Sequence, residues 1–274
     1  GEFSYEHLPK KTYIQSLAQM KRLRHNDDIH KDNKSTLYEK MVLPYLKTQI
    51  RNKNLRILDF GAGQYDYAKK LKREGYDITM IDPYHRPNNT SSAIDYLGNQ
   101  KTYQLICDDI QNKGLYDVVI CDSVLNSVDS VKAEESVIKS VFGLCKQSGM
   151  VFISGRPFKA GNKQAKNASR YYADSLVHYF DKNGFTGMYR NGEWFYQRFH
   201  KDYEVRRIGE YISNSPVIKI GNNSWQVMAI KDVEHSQEEI IDALMFEFSL
   251  PLPNGKKYDF ADKIKNAYEN RKMS

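Results

Sequence analysis

An α/β fold built on a doubly wound, mostly parallel sheet is the fold class the sequence predicts, and three observations predict it. Short apolar, strand-like runs alternate with helical stretches from Asn54 to about residue 155, the pattern of a parallel sheet covered by helices on both faces. The first run, Leu55-Arg-Ile-Leu-Asp59, leads into Gly61-Ala-Gly63, where glycines let the backbone turn sharply and approach a ligand. The second, Asp77-Ile-Thr-Met-Ile-Asp82, ends in an acid, and the distance from Asp59 suits one strand–helix–strand unit.

Ahead of the sheet, Ile14, Leu17, Ala18 and Leu23 are spaced for a helix over 10–25. Thr36-Leu-Tyr-Glu39 has the form of a capping box with Thr36 as N-cap. The helix it opens, through Leu37, Met41, Tyr45 and Ile50, is expected to bend near Pro44. Residues 1–53 are therefore read as an N-terminal helical segment. Gly1-Glu-Phe3 lacks an initiating Met and reads as a cloning scar, with the natural chain extending upstream.

Residues 54–232 are read as the main domain. A helix is expected from Tyr67 to Arg73, stopped by Gly75, and another over 91–98. A third strand is expected at Tyr103–Cys107, a fourth at Tyr116–Cys121, a helix over 131–145 and a fifth strand at Gly149–Ser154. Beyond it the pattern is less regular: a helix over 169–182, hairpin strands within 185–212 and a late strand at Trp225–Lys231. Residues 233–274 are read as a C-terminal helical extension. Its helices, over 237–247 and 259–270, flank the proline-rich Leu250-Pro-Leu-Pro-Asn-Gly255.

Composition narrows the class. Apolar residues make up 40% of the 274, enough for a sizeable core. No stretch approaches the roughly 18 uninterrupted apolar residues of a membrane span, and no secretory segment is present. Cys107, Cys121 and Cys145 are an odd number at wide spacing, without a CxxC pair, so neither a disulfide framework nor a zinc knuckle is expected. A cytoplasmic location fits. No histidine has metal-ligand spacing to another, and no metal is expected. The formal charge of +7 admits a polyanionic partner.

The loop at Gly61 and Asp82 can be read chemically. Ligands of doubly wound sheets sit at the carboxyl ends of the strands where strand order reverses. An acid ending the second strand can accept both hydroxyl protons of a ribose. A dinucleotide fingerprint carries a third glycine where a helix N-terminus meets pyrophosphate; here that position is Asp66. A carboxylate there repels pyrophosphate and favours a cofactor bearing a sulfonium and an ammonium.

These residues resemble the class I methyltransferase superfamily, dependent on S-adenosylmethionine. Asp59-Phe-Gly61-Ala-Gly63 looks like its first motif and Asp82 like its ribose-binding acid. Cys107-Asp108-Asp109-Ile110 looks like the third motif, in which an acid takes the adenine amino group and an apolar residue covers the ring; Asp109 with Ile110 is favoured, with Asp108 as the alternative. Asp117-Val-Val-Ile-Cys-Asp122-Ser-Val-Leu-Asn126 looks like the fourth, and Leu144-Cys-Lys-Gln-Ser-Gly149 resembles the turn before the fifth strand. The resemblance covers about residues 54–155 and implies a seven-stranded, Rossmann-like sheet with S-adenosylmethionine as cofactor. A looser likeness, in Gly75–Tyr84 and Val124-Leu-Asn126, is to bacterial methyltransferases encoded near DNA-modification or ParB-like genes.

For the transfer itself, the sequence places Asp122, Ser123 and Asn126 on the loop after the fourth strand, beside the cofactor methyl in this fold. Asp122 can accept a proton or orient a nucleophile. No Asp/Asn-Pro-Pro-Tyr motif stands there, and Cys121 lacks the proline that accompanies a nucleophilic cysteine. The acceptor is expected to be a nucleic acid, contacted by a basic, aromatic segment carrying Arg198, Arg206 and Arg207. Two alternatives stand beside it: a small-molecule methyltransferase, and an inactive methyltransferase-like binding module.

Overall fold

The structure is a computed structural model that describes residues 34–49, 54–63, 65–86, 94–128, 130–163, 176–179, 182–190, 193–252 and 255–273. The expected helix over 10–25 and most of the one over 169–182 lie outside these residues.

The described chain opens on a π-helical turn, Tyr38–Val42, that runs into α1 (Leu43–Thr48). The irregular turn lies immediately ahead of Pro44, whose missing N–H disturbs the helical ladder. The cap is Ser35 rather than Thr36: its hydroxyl accepts from the Tyr38 amide at 3.1 Å. Glu39 does not reach back to the cap but accepts from the Tyr67 hydroxyl at 2.9 Å.

Then follow β1 (Arg56–Phe60), α2 (Asp66–Arg73), β2 (Asp77–Ile81), α3 (Tyr96–Lys113), β3 (Tyr116–Cys121), α4 (Val131–Leu144) and β4 (Cys145–Gly155). A three-stranded antiparallel sheet comprises β5 (Leu176–Tyr179), β6 (Phe185–Arg190) and β7 (Glu193–Arg198). The chain closes with α5 (Asp202–Ile212), β8 (Val217–Ile220), β9 (Trp225–Ile230), α6 (Gln237–Glu247) and α7 (Ala261–Glu269).

The main sheet has the order β2-β1-β3-β4-β9-β8. Its first four strands are parallel, with Ile57 opposite Ile78 and Val118, and Cys121 opposite Ile153. The last two strands pair antiparallel. The inner strands β1 and β3, and β4 from Val151 on, are buried almost throughout, as parallel strands covered on both faces must be. From β1 the chain winds outward to β2 and then returns to β3 on the other side of β1. The strand order therefore reverses between β1 and β3, and their carboxyl ends face the resulting crevice.

The sheet has six strands among the described residues, not seven, because the expected third strand is helix. Tyr103, Ile106, Cys107 and Ile110 are all buried within α3, while Leu105 between them is 48% exposed. That is the three-to-four-residue period of one helical face, not the two-residue period of a strand. Asp95 caps this helix, accepting from the Gly98 amide at 3.1 Å. Leu176–Tyr179, expected within a helix, is strand β5. The hairpin expected within 185–212 is β6–β7, and its later part is α5.

The C-terminal extension shares the main core. Ile240, Leu244, Phe248, Tyr258, Ile264 and Tyr268 belong to the same buried cluster as β3, α3 and α4. α6 packs on α4 and α7 on α3. Among the described residues no helix is long and apolar enough to cross a membrane.

Candidate active site

The crevice is built first by backbone. Gly61 has φ +84° and Gly63 φ +64°, a left-handed conformation that glycine adopts without steric cost. A Cβ on Gly61 would lie 2.2 Å from Val124 Cγ2, so the loop after β1 can touch the loop after β3 only through glycine. The Gly61 and Ala62 amides donate to the Ile81 carbonyl at 2.8 and 3.0 Å. These bonds tie the end of β1 to the end of β2.

Around this turn the strand ends bring four carboxylates together. Asp59, on β1, is 2% exposed. One of its oxygens accepts from the Tyr38 hydroxyl; the other has no hydrogen-bond partner. Its carboxyl is raised to about 8: burial contributes most, the Tyr38 bond offsets part, and the neighbouring Asp122, Asp66 and Asp82 add to the rise. Asp66, the first residue of α2, is buried and accepts from the Tyr67 amide at 2.9 Å.

Asp82 accepts from the Gly63 amide at 2.9 Å and the Tyr84 amide at 2.8 Å, one per oxygen. Burial raises it to about 6 against those two bonds. It thus shapes the loop, and each oxygen keeps a lone pair for a hydroxyl. Beside it, the Tyr65 ring stacks on His85 at 3.8 Å. Tyr65 has φ +69°, a strained value for a non-glycine residue.

Asp122 and Ser123 follow β3. Asp122 accepts from the Ser154 hydroxyl at 2.6 Å, and that same hydroxyl accepts from the Ser123 amide at 2.9 Å. Ser123 is exposed with φ +58°. Asn126 is buried in the short 3₁₀ turn Leu125–Ser127, its amide oxygen without a hydrogen-bond partner.

Asp59, Gly61, Gly63, Asp82, Asp122 and Ser123 therefore converge on one crevice, and Asn126 lies in the turn that follows. Asp108, Asp109 and Ile110 do not converge there. Asp109 lies on α3, 4.0 Å from Arg56 and 3.7 Å from Lys113. Arg56 is the first residue of β1, so Asp109 stands at the amino ends of the strands, away from the crevice. Asp108 bonds Gln104 on the helix surface, and Ile110 is buried in the core. The expected adenine acid fails because its strand is a helix.

Arg198 also departs from expectation. It is 2% exposed, pairs with Glu204 and lies 3.4 Å from Glu134. His200 bonds Glu134 as well. Glu134 stays below the usual carboxylate range: burial acts to raise it, and His200 and Arg198 more than offset that. Arg206 and Arg207 are exposed on α5. The arginine at the centre of the expected phosphate-binding segment is thus internal structure.

Sequence reasoning missed Tyr38 and Ser154, whose relevance depends on packing from elsewhere in the chain. A crowded set of acids around a tight turn disfavours an anionic ligand and suits one carrying positive charge. Vicinal hydroxyls match the free lone pairs of Asp82. An ammonium matches the unpartnered oxygen of Asp59. The residues present fit S-adenosylmethionine. Among the described residues no group of three or more His, Cys, Asp or Glu is arranged to hold a metal ion.

A family model described as a methyltransferase domain matches residues 31–189, more than half of the chain. Among curated relatives, a ubiquinone biosynthesis O-methyltransferase from Rickettsia felis is 33% identical over 102 residues, covering 36% of this chain and 41% of its own. Its counterpart from Rickettsia conorii is 29% identical over 162 residues, covering 54% and 52%. The chain thus spans about half, or less, of the length of these relatives. Among solved structures, a magnesium protoporphyrin IX methyltransferase from Synechocystis is 16% identical, covers 78% of this chain and 94% of its own, and gives a TM-score of 0.44.

Proposed function

The chain belongs to the methyltransferase domain family; from that premise we propose that it is an S-adenosylmethionine-dependent enzyme that methylates a hydroxyl group of a small molecule. The observation that carries this reading is the partly exposed Asp122, fixed by Ser154 at 2.6 Å beside the Asp59–Gly61 turn. A carboxylate so held can take the proton of a hydroxyl nucleophile. The relatives named above are O-methyltransferases. The internal ion pairs of Arg198 remove a main support for a nucleic-acid acceptor.

The bound cofactor supplies a methyl carbon already activated by its sulfonium. Asp59 would hold the ammonium through its unpartnered oxygen and Asp82 the ribose hydroxyls. Gly61 and Gly63 let the backbone lie against the ligand. Asp122 orients the acceptor and receives its proton, while Asn126 offers a buried oxygen to a donor on either molecule. Holding the nucleophile in line, with water excluded, accounts for much of the rate enhancement in such a displacement.

The test is methyl transfer from labelled S-adenosylmethionine to a panel of phenols and catechols, with oligonucleotides alongside. Labelled phenolic product, falling about 100-fold or more in Asp122→Asn at little change in cofactor affinity, is the expected result. Label only in oligonucleotide would overturn the acceptor class, and an unaffected Asp122→Asn would remove Asp122 from the mechanism.

A further inference from the structure

Glu247, the last residue of α6, is 6% exposed. Among the described residues it has neither hydrogen bond nor ion pair, and burial alone pushes its carboxyl up to about 8. A buried carboxyl without a partner is costly, and such a group in a native fold calls for an explanation.

Its surroundings supply one. The Cys121 thiol, at the end of β3, feels the charges of Asp59, Asp122 and Glu247. The Tyr103 phenol, on α3, feels Tyr258, Glu247, Asp82 and Tyr65. Glu247 ends α6, which packs on α4, and the ring of its neighbour Phe248 packs against Tyr103 of α3, so it lies on the face covered by these helices, near Cys121 at the end of β3.

The chain that follows wraps aromatic rings over this corner. Tyr103 packs against Phe248 at 5.0 Å, Tyr258 at 4.8 Å and Phe260 at 5.7 Å. The Tyr258 hydroxyl donates to the Pro83 carbonyl at 2.7 Å, next to Asp82, and accepts from Asn99 at 2.9 Å. These rings belong to the buried core, and an unengaged carboxyl beside aromatic faces suits an aromatic heterocycle bearing an amino group. The adjacent Asp82 places such a ring where the base of a ribose-bound cofactor would lie.

Resting on the cofactor reading above, we propose that Glu247 binds the exocyclic amino group of the adenine of S-adenosylmethionine, making the C-terminal extension part of the cofactor site. It takes the place expected for Asp109, from a segment more than 130 residues further along the chain.

The experiment is calorimetric binding of S-adenosylhomocysteine and S-inosylhomocysteine, which carries an oxo group in place of the amino group. Above about pH 8, where the carboxyl is ionised and can only accept, the wild type is expected to prefer the adenosyl compound by roughly 10-fold or more. Glu247→Leu should erase that preference and raise thermal stability without ligand, since it removes a buried polar group lacking a partner. Glu247→Gln, whose amide can accept from the amino group or donate to the oxo group, should bind both compounds with a narrowed preference. A preference that persists in Glu247→Leu overturns the proposal and leaves the cofactor reading standing. A wild type that binds neither compound overturns both.

Discussion

At the residue scale, the site turns on how Asp59 is kept. Its carboxyl is buried among Asp66, Asp82 and Asp122 and held largely protonated near neutral pH, with Tyr38 bonded to it. A ligand ammonium against its open oxygen favours the ionised form. Binding of S-adenosylmethionine at pH 7 is therefore expected to release a proton, and affinity should rise with pH toward about 8. Calorimetry in buffers of different ionisation enthalpy reads the proton directly. Asp59→Asn should abolish the release and weaken binding; unchanged release in that variant would assign it to another group. Asp59, Gly61 and Asp82 were legible from sequence because the strand–turn–helix unit that needs them is local. Tyr38 and Ser154 were not, because each reaches the crevice from a separate element.

At the element scale, α3 and the β6–β7 hairpin mark where local pattern misleads. Tyr103-Gln-Leu-Ile-Cys107 is apolar enough for a strand, yet its burial follows the helical period of residues 103, 106, 107 and 110. Short apolar runs leave the two periods hard to separate, and the flanking residues decide. In Trp194–Lys201 the alternation of aromatic and cationic residues fits a half-buried strand and a basic surface equally well. The fold takes the first use for Arg198, which it buries with Glu134 and Glu204. Arg198→Ala is accordingly expected to cost roughly 3–5 kcal/mol, because it strands buried carboxylates. Arg206→Gln with Arg207→Gln, on the exposed face of α5, should stay within about 0.5 kcal/mol per substitution. Denaturant unfolding distinguishes the two sets, and equal effects would mean that the buried network contributes nothing.

At the scale of the whole molecule, the acids at the strand ends weaken the free fold. Asp82, Asp59 and Glu247 have folded-state values raised to about 6, 8 and 8. For a raised carboxyl the folded state binds more protons than the unfolded chain, so its contribution is fully present below about pH 4 and is lost as pH rises through the folded value. Glu134, held low, acts the other way only in the acid range. Lys231, lowered to about 8 by burial, adds stability only as pH rises above that value. Between pH 5 and 8 the melting temperature of the free protein should therefore fall, and S-adenosylmethionine should restore part of it. A midpoint that climbs steadily across this window would contradict the protonation states described here.

The sequence by itself determined the α/β class, the turn at Gly61–Gly63, the acid at Asp82 and most strands of the main sheet. All of these follow from local patterns: the period of apolar residues, glycine where φ is positive, and an acid one strand–helix–strand unit later. Tertiary structure alone decided that the third strand is a helix, that Arg198 is internal and that Asp109 faces the wrong end of the sheet. It also brought Tyr38 and Ser154 to the crevice from separate parts of the chain. Those outcomes depend on which buried groups find partners once distant segments pack, and sequence spacing does not encode that choice.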